Sequence, residues 1–158
     1  MILKIMTRSA AQTKKVGQAM GRLLRPKDVV ALRGELGAGK TTLVKGIAKG
    51  LGVRSENEVA SPTFVLIHEY RGRCPIYHLD WYRLDRVEGP DAALAQECFE
   101  AEAVTLVEWP QRPNAVLPKE RTEVKISHRG PSSRSIEIRA RDDRFRLPIR
   151  QALGRKTQ

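Results

Sequence analysis

Apolar residues recur along this chain with two spacings, and the alternation between them outlines an α/β fold. Ile2 to Met6 predicts a first or edge strand. From Ser9 onward Val16, Ala19, Met20, Leu23 and Leu24 fall at i, i+3, i+4, i+7 and i+8, an amphipathic helix of about four turns with Ser9 as N-cap and Pro26 beyond its end. Asp28 to Arg33 contains a short apolar run and predicts a strand, while Leu43 to Ala48 returns to helical spacing and stops near Gly50 or Gly52. After the polar stretch Arg54 to Ala60, Pro62 holds the chain out of helix. Thr63 to Tyr70, β-branched and aromatic, then predicts a strand that turns at Arg71-Gly72-Arg73 into Pro75 to Asp80, a hairpin. Residues 90–102 are rich in helix formers, and Ala103 to Trp109 is an apolar strand closed by Pro110. Glu123 to Ser127 and Ser135 to Ala140 flank Gly130-Pro131-Ser132-Ser133 as a second hairpin. Past Asp142 only Phe145, Leu147, Ile149 and Leu153 offer anchors. The pattern predicts one α/β domain over residues 1–141, with a mixed, mostly parallel sheet flanked by helices and a C-terminal β-hairpin. A basic, partly mobile tail follows over 142–158.

Composition narrows the class. A chain of 158 residues with 41% hydrophobic and 30% charged content has room for one packed core. No apolar run approaches the roughly 20 residues that cross a bilayer, and Met1 to Arg8 is too short and interrupted for a signal peptide, so a cytoplasmic protein without membrane contact is expected. Cys74 and Cys98 lack metal or redox spacing and predict reduced thiols. The net charge of +11 is uneven: residues 1–110 hold 16 Lys/Arg against 13 Asp/Glu, and residues 111–158 hold 13 against 5. That half suits either a polyanion such as RNA, an acidic protein surface, or plain solvation.

Between the strand ending at Arg33 and the following helix lies Gly34-Glu35-Leu36-Gly37-Ala38-Gly39-Lys40-Thr41-Thr42, which fits the phosphate-binding loop G-x-x-x-x-G-K-[ST]. Its glycines let successive N–H groups point at an anion, and the helix start adds its positive dipole end. The chemistry expected of such a loop puts Lys40 on the β- and γ-phosphates of a triphosphate, Thr41 on Mg²⁺ and Thr42 on the α-phosphate. Hydrolysis also needs acids, and two apolar strands end in one: Asp80 and Glu108. In a parallel sheet both ends line the loop's crevice, so one acid is a candidate metal ligand and the other a candidate for orienting water. Thr63 either offers a hydroxyl to the γ-phosphate or merely opens a strand. Trp109 is core or a partner anchor, and His68 and His78 are strand residues that this chemistry does not require.

Together with that loop, Ser61-Pro62-Thr63-Phe64, His78-Leu79-Asp80-Trp81-Tyr82-Arg83-Leu84 and Val107-Glu108-Trp109-Pro110 resemble, in order and spacing, the bacterial TsaE (YjeE) ATPases across residues 9–118. The resemblance implies a P-loop fold, ATP and Mg²⁺ as cofactors, and a part in forming N6-threonylcarbamoyladenosine beside the anticodon of tRNAs that read codons starting with A. It further implies docking on a TsaB–TsaD pair, where TsaD transfers a threonylcarbamoyl group from an adenylate made by TsaC and ATP hydrolysis resets the assembly. On this resemblance Lys40 and the loop hold phosphate, Thr41 and Glu108 ligate Mg²⁺, Asp80 is the second acid, and Ser61 to Phe64 form a switch. Glu35 stands where Asp is more usual. Ser133-Arg134 stands where many members carry Gly-Arg, which makes Arg134 the candidate for a nucleotide-side arginine.

Three other readings compete. A small-molecule kinase needs an acceptor pocket and an Arg-rich lid, for which the Arg pairs around Asp142 are a poor substitute. A GTPase is disfavoured because neither N-K-x-D nor D-x-x-G occurs in place. The third, a nucleotide-gated module that holds RNA through its basic C-terminal half, predicts tRNA binding that weakens steeply with salt and depends on residues 142–158. Absence of tRNA binding at low salt would leave the basic half as surface or protein contact.

Overall fold

Where the apolar run is continuous the strand lies in the middle of the sheet, and where it alternates the strand lies near an edge. The computed structural model describes residues 1–60 and 66–155. Its strands are β1 (Ile2–Thr7), β2 (Val29–Arg33), β3 (Ile67–Arg71), β4 (Pro75–Asp80), β5 (Val104–Glu108), β6 (Thr122–His128) and β7 (Arg134–Arg139). They form one sheet in the order β1-β7-β6-β2-β5-β4-β3. β5 is buried at every position, as befits a strand covered on both faces, whereas β1 alternates exposed and buried. The middle is parallel (β6, β2, β5, β4), and an antiparallel hairpin or strand closes each side. Ser61 to Val65, and with them the predicted start of the strand at Thr63 and the Ser61–Phe64 segment, lie outside the described residues.

Helices α1 (Ala10–Gly21), α2 (Lys40–Gly50) and α4 (Arg146–Ala152) cover one face, and α3 (Gly89–Glu100) covers the other. Ser9 caps α1 by accepting the Gln12 amide at 3.1 Å. The helix ends at Gly21, so Leu23 and Leu24 continue its apolar stripe from a turn. One cluster joins Val16, Met20, Leu43 and Ile47 of the helices to Leu32, Leu106, Ile126 and Ile136 of the sheet. A second packs Ala95, Cys98 and Phe99 of α3 on Val29, Leu79 and Val107.

The basic segment after Asp142 joins the first cluster: Phe145 and Ile149 are fully buried, while Leu147 stays exposed. Arg144 reaches back to Asp28 at 2.9 Å. Deleting 142–158 would therefore open the core, and arginine substitution is the cleaner probe of its charge. Cys74 and Cys98 are both free thiols. Among the described residues no helix is long and apolar enough to cross a membrane.

The α1–α2 contact is set by backbone. Gly17 and Gly21 of α1 face Gly46 and Gly50 of α2 so closely that a methyl group on Gly46 would lie 2.3 Å from the Lys14 carbonyl, and one on Gly21 would lie 2.1 Å from that of Ile47. This G-x-x-x-G spacing on both helices brings the helix carrying Lys40 flat against its neighbour. Gly46→Ala is expected to push them apart and to lower stability by about 1–3 kcal/mol. The check is a urea titration, in which the midpoint falls with the slope unchanged; an unmoved midpoint would mean the contact carries no packing energy.

Candidate functional site

β2 ends at Arg33, and the chain leaves the sheet at Gly34, where an added methyl would sit 2.7 Å from the Ile126 carbonyl of β6. The loop runs to Gly39, which caps α2 in a left-handed conformation (φ 108°) and brings no side chain to the first-turn amides. Those amides and the helix dipole favour an anion. Arg134, at the start of β7 and 96 residues along the chain from Ala38, donates Nε to the Ala38 carbonyl at 2.7 Å and so holds the loop from outside. Glu35 and Leu36 point into solvent, whereas Ala38 is buried.

Lys40 is 6% exposed. Its Nζ donates to the carbonyls of Gly34 at 2.5 Å and Glu35 at 2.9 Å, and lies 4.7 Å from the centre of the Trp109 ring. Burial lowers its pKa, against the pull of Glu108, Asp80 and Glu35 in that order.

The two strand-end acids meet at this loop. Asp80 ends β4 and Glu108 ends β5, and the two are direct partners across the parallel pairing. Both are almost wholly buried. With Gly37, Gly39, Lys40, Thr41, Thr42, Leu36, Tyr82 and Trp109 they line a cavity of about 340 Å³. Asp80 Oδ1 accepts the Tyr82 amide at 2.8 Å, which ties the acid to the turn that follows it.

Trp109 takes a left-handed backbone (φ 59°), a conformation that costs a bulky residue about 1–3 kcal/mol. The turn lays its ring on Tyr82 at 5.0 Å and over Lys40. Arg112 fastens the arrangement: it donates Nε to the Trp81 carbonyl at 3.0 Å and Nη2 to that of Tyr82, with its guanidinium 5.3 Å from the Trp109 ring centre. A larger cavity, about 610 Å³, lies along β6 beyond Trp109, lined by Arg33, Lys125 and His128 among others. It contains neither Lys40 nor the two strand-end acids.

Among the described residues no group of three or more His, Cys, Asp and Glu is arranged to hold a metal. Mg²⁺ seldom needs one, since one or two carboxylates, a hydroxyl and substrate phosphates suffice. The uncapped glycine turn, Thr41 and the paired acids fit that requirement.

Thus Gly34 to Thr42, Asp80 and Glu108 assemble as the motif spacing anticipates, Arg134 sits against the loop, and Thr63 lies outside the described residues. Two features escaped the sequence reading. Arg112 carries no motif that separates it from the other arginines. His78 is a strand residue, as expected, but its ring is fully buried, with Nε2 2.8 Å from Glu108 Oε2 and Nδ1 3.0 Å from the Tyr70 hydroxyl. Its position two before Asp80, on the same face of β4, was the available signal. Burial pushes the Tyr70 hydroxyl up to about 12, so it remains a hydrogen-bond donor at neutral pH.

A family model described as threonylcarbamoyl adenosine biosynthesis protein TsaE matches residues 7–136. The tRNA threonylcarbamoyladenosine biosynthesis protein TsaE of Treponema pallidum is 39% identical over 136 residues, covering 86% of this chain and 99% of that protein. Its namesake from Bacillus subtilis is 40% identical over 146 residues, covering 92% and 90%. The crystal structure of Bacillus subtilis YdiB superposes with a TM-score of 0.74 at 33% identity, over 98% of this chain and 95% of that one.

Trp109 borders the smaller cavity, whereas Trp81 is buried in the α3 cluster. Adding Mg²⁺ and a non-hydrolysable ATP analogue is expected to change tryptophan emission in the unmodified protein and in Trp81→Phe, but not in Trp109→Phe. A full response from Trp109→Phe would put the ligand elsewhere.

Proposed function

The chain belongs to the TsaE family of threonylcarbamoyl adenosine biosynthesis proteins, and from that membership we propose that it is a Mg²⁺-dependent ATPase acting on a TsaB–TsaD pair. The observation that carries this reading is the direct pairing of Asp80 with Glu108 at the mouth of the loop bearing Lys40 and Thr41. Binding without hydrolysis needs only the loop; two buried carboxylates beside it suit a metal and an oriented water. Lys40 and the first-turn amides of α2 hold the phosphates, with Arg134 bracing the loop at Ala38. Thr41 and Glu108 hold the metal, and Asp80 serves as the second acid. Bound Mg²⁺ would supply charge neutralisation at the β- and γ-phosphate oxygens. Trp109 and Tyr82 wall the cavity and limit water access.

In this reading ATP turnover serves the transfer of the threonylcarbamoyl group to tRNA by resetting the partner pair, and contact with tRNA is indirect. Arg121, Arg139, Arg141, Arg144 and Arg146 each lie beside a carboxylate. The neighbouring cavity beyond Trp109 contains neither acid, which gives a small-molecule kinase no specific support.

The test is ATP hydrolysis with Mg²⁺ by the purified chain, alone and with its cognate TsaB–TsaD. A low basal rate that rises on adding the pair is expected. Lys40→Ala should lose about 10²-fold or more in turnover. Asp80→Ala and Glu108→Ala should abolish hydrolysis while analogue binding persists. A rate indifferent to the pair would break the assignment to this assembly, and unchanged turnover in both acid variants would remove them from the mechanism.

A further inference from the structure

His78, Tyr70 and the Ala60 carbonyl form a continuous polar line, with His68 Nδ1 a further 3.5 Å from the Tyr70 hydroxyl. It starts at Glu108 Oε2, 2.8 Å from His78 Nε2, passes from His78 Nδ1 to the Tyr70 hydroxyl at 3.0 Å, and ends where that hydroxyl meets the Ala60 carbonyl, also at 3.0 Å. The first two steps are diagonal ones between neighbouring strands: Glu108 faces Asp80, two beyond His78, and Tyr70 faces Ile76, two before it. Ile76 and Leu106, fully buried, flank the line on the same sheet face.

Burying these groups is unfavourable unless each is paired, and a leucine at residue 78 would fill the space but take this partner from both Glu108 and Tyr70. An ionised carboxylate only accepts, so Nε2 donates to Glu108, while the far side of the ring meets Tyr70, whose one hydroxyl proton goes either to Nδ1 or to the Ala60 carbonyl. We infer that His78 and Tyr70 are positioning residues for the proposed ATPase: they hold the Glu108 carboxylate in the single orientation that its role at the metal requires. The inference rests on the reading of Glu108 given under Proposed function. Neither residue lines the cavity, and both act through Glu108.

Three variants separate the line from mere packing. His78→Leu removes both bonds and keeps the bulk, His78→Gln keeps a donor near Nε2, and Tyr70→Phe removes only the hydroxyl. The readouts are kcat, KM, the Mg²⁺ concentration giving half-maximal Trp109 emission change with a non-hydrolysable ATP analogue, and Tm. His78→Leu is expected to lose about 10–100-fold in kcat or in Mg²⁺ half-saturation. KM should move little; Tm should fall, because leucine takes away a buried partner of Glu108 and of Tyr70, so kcat is read well below the unfolding range of each variant. His78→Gln should recover most of the loss, and Tyr70→Phe should fall between. Wild-type kcat and Mg²⁺ dependence in His78→Leu would overturn the inference, as would losses in all three variants that simply track a fall in Tm. If the unmodified protein hydrolyses no ATP, or Lys40→Ala matches it, the proposed function falls and the inference falls with it. Active wild type beside an equally active His78→Leu sinks the inference alone.

Discussion

The site depends on one row of residues across the sheet. Parallel pairing sets Leu32 of β2 beside Glu108 of β5, and Glu108 beside Asp80 of β4, so three strands end level. The loop leaves β2 two residues past Leu32, at Gly34, and therefore opens directly over both acids. A slip of one residue in β5 would turn Glu108 toward the α3 face. A slip of two would keep its face but carry it about 7 Å along the strand. Register is protected against both because β5 is buried on its two sides, and either shift would bring the wrong side chains into close-packed layers.

That row concentrates charge where water is scarce. Lys40, Asp80, Glu108 and His78 are all nearly or wholly buried. Desolvation opposes each charge, and mutual attraction and hydrogen bonds offset it: the same burial that lowers the Lys40 pKa strengthens its attraction to the two carboxylates. Groups held this way need little rearrangement when a charged ligand arrives, which is the physical basis of electrostatic preorganisation. The left-handed backbone at Trp109 belongs to the same balance, since the strain there is retained by contacts with Tyr82, Arg112 and Lys40.

Remote packing holds the loop in place. The glycine contact between α1 and α2 fixes the axis of the helix whose first turn carries Lys40 and Thr41. The Gly34 backbone rests on β6, and Arg134 on β7 grips the Ala38 carbonyl. The C-terminal hairpin thus supports the loop from one side while α1 supports its helix from the other. Phe145, just before α4, and Ile149 within it close the layer beneath α1, giving the basic C-terminal segment a packing role as well as a charge.

Features governed by neighbours in the chain were legible from residue order alone. These include the Gly34–Thr42 loop between a buried strand and a helix, the Ser9 cap, the two hairpins, and strands that end in Asp80 and Glu108, because turn geometry, capping and apolar periodicity act over a few residues. Their spacing also carried the family. What the tertiary structure alone decided is who meets whom across long separations. Strand order set Asp80 against Glu108, and the hairpin brought Arg134 to a loop 96 residues away along the chain. The sheet aligned His78 between Tyr70 and Glu108, and two helices used four glycines as an interface rather than as breaks. No local preference of a histidine, an arginine or a helical glycine distinguishes these partners; only the packed sheet, by excluding water and fixing register, selects them.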